Sequence, residues 1–300
     1  MDRITFTCET ITPMFLAGAD SRTPELRPPS IKGAMRFWWR ALHGHLSLKE
    51  LKETESKIFG GTGTVQARSC FSIQVKPKGS PREIKTRPLP HSQSKTFVLS
   101  AFGVGTRFEV SFSMKDSLKD QNGTVMFGMN HLTKLFLLTC YLGGFGKRVR
   151  RGFGSVDVVE INEGRDGIPM EINLQYINGL IQSFSPYYTL SNDRISFSFP
   201  GKAPAYGYLV KVELGEPYSK EDQLLRKVGQ ATHDLKKRHG HVYEASMGFA
   251  GRQGRFASPV FVSVVRGSVR PLVSTLNLAP PRNAARASLD VQNEFKNRIL

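Results

Sequence analysis

The chain has 300 residues, room for about two domains of roughly 150 residues each. Hydrophobic residues make up 39% and charged residues 22%, which excludes collagen-like and wholly disordered chains. Lys and Arg number 42 against 25 Asp and Glu, and the resulting net charge of +17 points to a polyanion, either nucleic acid or an anionic membrane surface.

The opening MDRITFTCET carries no apolar signal region, so a cytoplasmic location is expected. The longest apolar run, 135–146, is too short to cross a bilayer and reads as a buried helix. Cys8, Cys70 and Cys140 form no CxxC pair, so plain buried thiols are expected, with no metal and no cofactor.

Residues 1–11 alternate, Ile4, Phe6 and Cys8 against Thr5, Thr7 and Glu9, and read as a strand. Ser30, following Pro28-Pro29, is the expected N-cap of a helix over 30–46. Residues 71–75 and 107–112 alternate again, 131–142 read as a second helix, and 155–161 as a strand. This β-α-β-β-α-β order is that of a ferredoxin-like domain. Between its strands lies 76–96, rich in Pro, Lys and Arg with Glu83 its single acid, a length of connection that tends to be functional or disordered.

The polar, turn-rich stretch 163–168 marks a boundary, giving a first domain over 1–165 and a second over 166–300. In the second, 206–214 read as a strand. Ser219 and Asp222 suggest a capping box opening a helix with the stripe Leu224, Leu225, Val228, Ala231 and Leu235, ended by Gly240. Residues 260–265 read as a closing strand, and Val291, Phe295 and Ile299 mark a short terminal helix. Helix, Gly/Arg loop and strand echo the first half, consistent with an internal duplication.

Two constellations carry charge. In the first helix, Ile31, Ala34, Met35, Trp38 and Leu42 recur at core spacing, while Lys32, Arg36, Arg40 and His43 share another face with Trp39 between the two. Cations for phosphates and an indole for a base suit single-stranded nucleic acid. Free N–H groups of the first turn, beside Gly33, would admit a phosphate. The same spacing also fits an amphipathic helix with a solvated basic side and two core tryptophans.

The second constellation, 143–154, holds five glycines with Lys147, Arg148, Arg150 and Arg151 and no acid. Glycines free the backbone so that N–H groups can point at phosphates. It is not a Walker loop, because Arg148 follows Lys147 and the segment follows a helix. A basic loop without a ligand is the alternative. Residues 248–256 form a lesser copy with Arg252 and Arg255, and Lys236 to His239 suit the dipole of a last helical turn. The His43/His45 and His239/His241 pairs lack a carboxylate nearby in sequence, so a metal is not expected. His43 or His45 as general base, or Asp20 with a metal, are the routes by which RNA could be cleaved.

Residues 20–41, DSRTPELRPPSIKGAMRFWWRA, resemble the N-terminal signature of a RAMP family, the first-numbered subunit of the Cmr complex, a type III-B CRISPR RNA-silencing effector. The glycine-rich loop at 143–154, IFGGTG at 58–63 and RFASPV at 255–260 are similar as well. The resemblance implies an α+β fold of two tandem ferredoxin-like (RRM-like, RAMP) domains. It also implies a subunit at one end of the effector, near the guide RNA 3′ region, engaging guide or target RNA beside other RAMP subunits, with no catalytic residue. The RNA-facing positions it implies are Lys32, Arg36 and Arg40 with Lys147, Arg148, Arg150 and Arg151, and, more distantly, Arg252 and Arg255; the spacing adds Trp39. The rivals are a guide-processing, metal-independent endoribonuclease of the same superfamily and a scaffold meeting acidic proteins. A membrane partner is not expected, since no helix pairs a basic face with an exposed greasy one.

Overall fold

The structure, a computed structural model, describes all residues except 63–65, 92–96, 165–166, 252–253 and 278–286, and only the backbone of 250 and 251. Strand β1 (Asp2–Thr10) leads into α1 (Pro28–Leu42) and α2 (Leu48–Phe59). Then come β2 (Phe71–Pro77), β3 (Glu83–Thr86), β4 (Leu99–Phe102), β5 (Arg107–Met114), α3 (Met129–Leu142) and β6 (Val156–Ile161). The antiparallel sheet runs β6-β1-β5-β2. Counting those four strands in chain order, the spatial order is 4-1-3-2 with α1 and α3 as the crossovers. The expected connection 76–96 is not structureless throughout: β3 and β4 pair as a hairpin inserted between β2 and β5. Residues 92–96 lie outside the described part.

Helix α1 begins three residues before the expected N-cap. Arg27 is the N-cap and Pro28 and Pro29 fill the first helical positions, where their fixed φ and missing N–H cost nothing. It ends at Leu42 because the chain turns there, and the Tyr206 hydroxyl holds that turn through the carbonyls of His43 and Leu46, each at 2.7 Å. Helix α2 is absent from the sequence reading. A capping box opens it, with Ser47 accepting from the Glu50 N–H and Glu50 reaching back to the Ser47 N–H.

The second half contains α4 (Leu174–Ile181), β7 (Tyr188–Ser191), β8 (Arg194–Phe197), β9 (Leu209–Leu214), α5 (Glu221–His239) and α6 (His241–Met247). The hairpin β10 (Phe249–Gly251) and β11 (Gly254–Phe256) precedes β12 (Val260–Val265), β13 (Arg270–Leu276) and α7 (Leu289–Asn297). Its sheet runs β7-β8-β9-β13-β12. The strand at 260–265 therefore does not close the sheet, since β13 follows it and inserts beside β9. The place next to β9 that a strand after α7 would fill is taken by β8, which precedes β9. The second sheet thus differs from the first in chain connectivity, its β8 coming before β9 rather than after the last helix. The capping box expected at Ser219 does not form: Lys220 is the N-cap, and the Ser219 hydroxyl bonds Gln223 instead.

One apolar cluster runs from Phe6 to Leu276 through both halves, with Trp38 against Phe261 at 5.0 Å between ring centres. A second lies beneath α5, α6 and α7. Among the described residues no helix is long and apolar enough to cross a membrane.

Candidate nucleic-acid interface

The α1 cations reach the surface as expected, but two of them share a partner. Glu55, on α2 and nearly buried, sits with its carboxylate 2.8 Å from Arg36 Nε and 2.6 Å from Arg40 Nη2. Arg36 also donates to the Gly60 carbonyl. The result fixes both guanidiniums along one wall of a groove of about 820 Å³ between α1 and α2. Across it stand Lys49 and Lys52, so four cations face two carboxylates, Glu53 and Glu55. Lys32 lies with its ammonium 4.9 Å over the Phe71 ring, and desolvation, then Arg36, lowers its pKa. Gly33 is exposed, with open space where a side chain would stand.

Trp39 does not join this face. It is 1% exposed, packed edge-on to Phe59 at 6.3 Å and tilted against His43 at 4.2 Å. The reason is α2: once that helix covers the flank between the basic and apolar faces of α1, the indole becomes interior. Nor does the first turn of α1 offer free donors. Pro28 and Pro29 have no N–H, and those of Ser30 and Ile31 point to the Arg27 carbonyl at 3.1 and 3.3 Å.

The glycine-rich loop is a packed turn. Several of its N–H groups go to carbonyls: Gly144 to Thr139 at 2.8 Å, Phe145 to Gly154 at 2.9 Å, Lys147 to Phe15 at 2.9 Å and Gly154 to Pro13 at 3.0 Å. Gly154, at φ +70°, would place a Cβ 1.9 Å from the Phe145 oxygen, and Gly146, at φ +97°, one 2.6 Å from the Phe15 oxygen. These glycines permit close backbone approach.

The loop's four cations diverge. Arg150 lies 4.2 Å over the Phe261 ring and 5.4 Å from Phe37 of α1, and donates to the Ser258 carbonyl. Burial, with Arg151 adding, pushes its pKa down to about 10, so it stays charged at neutral pH. Arg151 donates to Ser258 Oγ at 3.1 Å and to the Met247 carbonyl at 3.3 Å. Both tie the loop to the start of β12. Lys147 is exposed and donates to the Ser21 carbonyl at 3.0 Å. Arg148 is exposed, in left-handed conformation, beside His91 and α5. Arg255 is exposed on β11, and Arg252 lies outside the described residues.

Two of the three candidate catalytic groups, His43 and Asp20, are engaged elsewhere. His43 Nδ1 donates to the Trp39 carbonyl at 2.6 Å, and desolvation lowers its pKa to about 4. His45 is half-buried, with its pKa lowered by desolvation. Asp20 is held at about 2 by hydrogen bonds from the Thr23 hydroxyl and the Arg22 and Thr23 N–H groups, which make it the anchor of its own turn. The fold does bring carboxylates to the other histidine pair, Glu294 to His239 at 3.0 Å and Glu244 to His241 at 3.4 Å. Among the described residues, however, no three His, Cys, Asp or Glu side chains gather as a metal site. Lys49 and Lys52 were missed in the sequence; the Ser47–Glu50 box ahead of Leu51 and Ile58 is the signal that would have placed them on a helix beside α1.

Residues 7–157 match the sequence profile of the RAMP superfamily, about half the chain, and the chain belongs to that superfamily. It is similar to the CRISPR system Cmr subunit Cmr1-2 of Pyrococcus furiosus, 30% identical over 191 residues that span 53% of this chain and 96% of that protein. Among solved structures it resembles the apo form of Cmr1 from Pyrococcus furiosus, at TM-score 0.62 and 22% identity over 100% of this chain and 97% of the other. It also resembles a chain of the type III-B Cmr-beta complex bound to cognate target RNA, at TM-score 0.61 and 10% identity over 99% of both chains. At those identities the two structures speak to the fold alone.

Proposed function

We propose that the chain is a single-stranded RNA-binding subunit of a type III-B CRISPR effector, engaging guide or target RNA near the guide 3′ end without cutting it. The observation that carries this reading is the basic side of α1, where Arg36 and Arg40 line an open groove together with Lys49 and Lys52 and Lys32 lies one turn before Arg36. Fixed cations over a groove suit a phosphate backbone, so binding is largely sequence-tolerant. Lys147, Arg148 and Arg255 extend the charged surface, while Arg150 and Arg151 brace it by joining the two halves. Trp39 supports α1 from within.

RAMP membership and the likeness to a Cmr subunit support the setting proposed with it: other RAMP subunits as partners, in the cytoplasm. We read the halves as two ferredoxin-like units dividing near residue 165, the second permuted. To test the reading, end-labelled guide-length RNA is mixed with the protein, with magnesium or a chelator, and run on native and denaturing gels. A retarded band with intact RNA is expected. Discrete cleavage products would overturn the non-catalytic role, and no retardation at low salt would overturn binding.

A further inference from the structure

A second opening, of about 280 Å³, lies away from the α1 groove, between the turn that precedes α1, strand β4 and the glycine-rich loop. Phe15, Val98 and Leu99 give it apolar walls, Ser100 a hydroxyl, and Arg22 and Lys147 two cations. No carboxylate lines it among the described residues. Asp20, the acid nearest in sequence to Arg22, turns its oxygens onto the N–H groups of Arg22 and Thr23.

The cations are placed by the fold. A backbone bridge joins Lys147 to Phe15, and the Lys147 ammonium holds the Ser21 carbonyl of the turn carrying Arg22. Pockets for drug-sized ligands begin at about 300 Å³, so this volume suits one nucleotide unit. At its rim Val98 is 50% exposed, and Phe97, the residue before it in the chain, is 60% exposed. Val98 also borders the larger cleft toward α5, where Lys85 and Lys227 stand with Glu221 and Asp222. Apolar walls, two cations and an exposed ring are what a base, its phosphate and a neighbouring base require.

We propose that this pocket takes one nucleotide of bound RNA, its base against Phe15, Val98 and Leu99 and its phosphate on Arg22 and Lys147, with the adjacent base stacked on Phe97. The proposal rests on the RNA-binding reading and adds to it a second contact point and a stacking residue. The aromatic platform sought at Trp39 thereby falls at Phe97, in the insertion rather than the helix.

The test uses the full-length protein and 4-thiouridine-substituted single-stranded RNA. Crosslinked peptides are mapped by mass spectrometry, and salt-dependent affinity is measured for the wild type, Arg22→Ala/Lys147→Ala, Phe97→Ala and Arg36→Ala/Arg40→Ala. Adducts on 97–100 are expected. So are a salt slope flatter by about 1.4 for the Arg22/Lys147 pair, at about 0.7 per lost phosphate contact, and weaker binding at unchanged slope for Phe97→Ala. Salt-sensitive RNA binding that Arg36→Ala/Arg40→Ala weakens, with no adduct on 97–100 and no change in the other variants, would overturn the pocket and leave the α1 site standing. Absence of salt-sensitive binding by the wild type would overturn both. The crosslink on unaltered protein keeps the result independent of any folding defect in the variants.

Discussion

Replacing Glu55 by Gln separates what stabilises the α1–α2 junction from what binds RNA. The carboxylate is nearly buried and serves Arg36 and Arg40 together. Breaking a buried ion pair costs about 3–5 kcal/mol. The arginine side chains are 36% and 51% exposed, so water takes over part of the loss, and Gln retains one acceptor. A cost of about 1–3 kcal/mol follows, which for a chain of this size lowers the melting temperature by about 2–6 °C. The same change leaves the groove one positive charge richer. A unit charge about 7 Å from a phosphate, at an effective dielectric near 40, is worth about 1 kcal/mol, or about fivefold in RNA affinity at low salt. That gain fades toward 1 M salt, where screening acts within about 3 Å. Thermal melting and fluorescence anisotropy with labelled single-stranded RNA at two salt concentrations read both effects. An unchanged melting temperature together with weaker RNA binding would refute the reasoning.

The glycines divide sharply. Gly154→Ala, at positive φ and against a carbonyl, should cost more than about 4 kcal/mol and yield little soluble protein, whereas Gly33→Ala should stabilise α1 by up to about 1 kcal/mol with RNA affinity within twofold; melting curves of the two variants decide. Arg148→Ala should flatten the salt slope of RNA binding by about 0.7 at unchanged melting temperature, and Arg151→Ala should lower the melting temperature through its lost bonds to Ser258 and Met247. Equal effects of the two changes would contradict the division of the loop into contact and brace. Because His43 has its pKa lowered to about 4, the unfolded chain takes up its proton first as pH falls. Stability from this residue is present above about pH 6.5 and is lost as pH falls from there toward about 4. The imidazole titration followed by NMR checks this, and a midpoint near 6.5 would exclude a desolvated ring.

What could be read in the sequence was what local periodicity determines. Helix α1 was legible from Ile31, Met35, Trp38 and Leu42, and β12 from a Val- and Phe-rich run, interrupted by Ser263 alone, whose residues are all buried. The basic side of α1 was legible for the same reason, since Lys32, Arg36 and Arg40 share the remaining arc. The fate of Trp39 was not, because it depends on α2 lying across its flank. The loop glycines looked like a phosphate cradle because composition does not distinguish an N–H aimed at a ligand from one aimed at Phe15 or Pro13. The strand order of the second sheet rests on β8 and β13 pairing with β9 from opposite ends of the half, a non-local choice that alternation cannot specify.

The measurement that bears most directly on the account is the affinity of the purified protein for single-stranded RNA as a function of salt, for the wild type and Arg36→Ala/Arg40→Ala. A linear fall of log K with log salt is expected, with a slope flatter by about 1.4 in the double variant at a similar affinity loss for unrelated RNA sequences. Superimposable salt plots for the two proteins would contradict it.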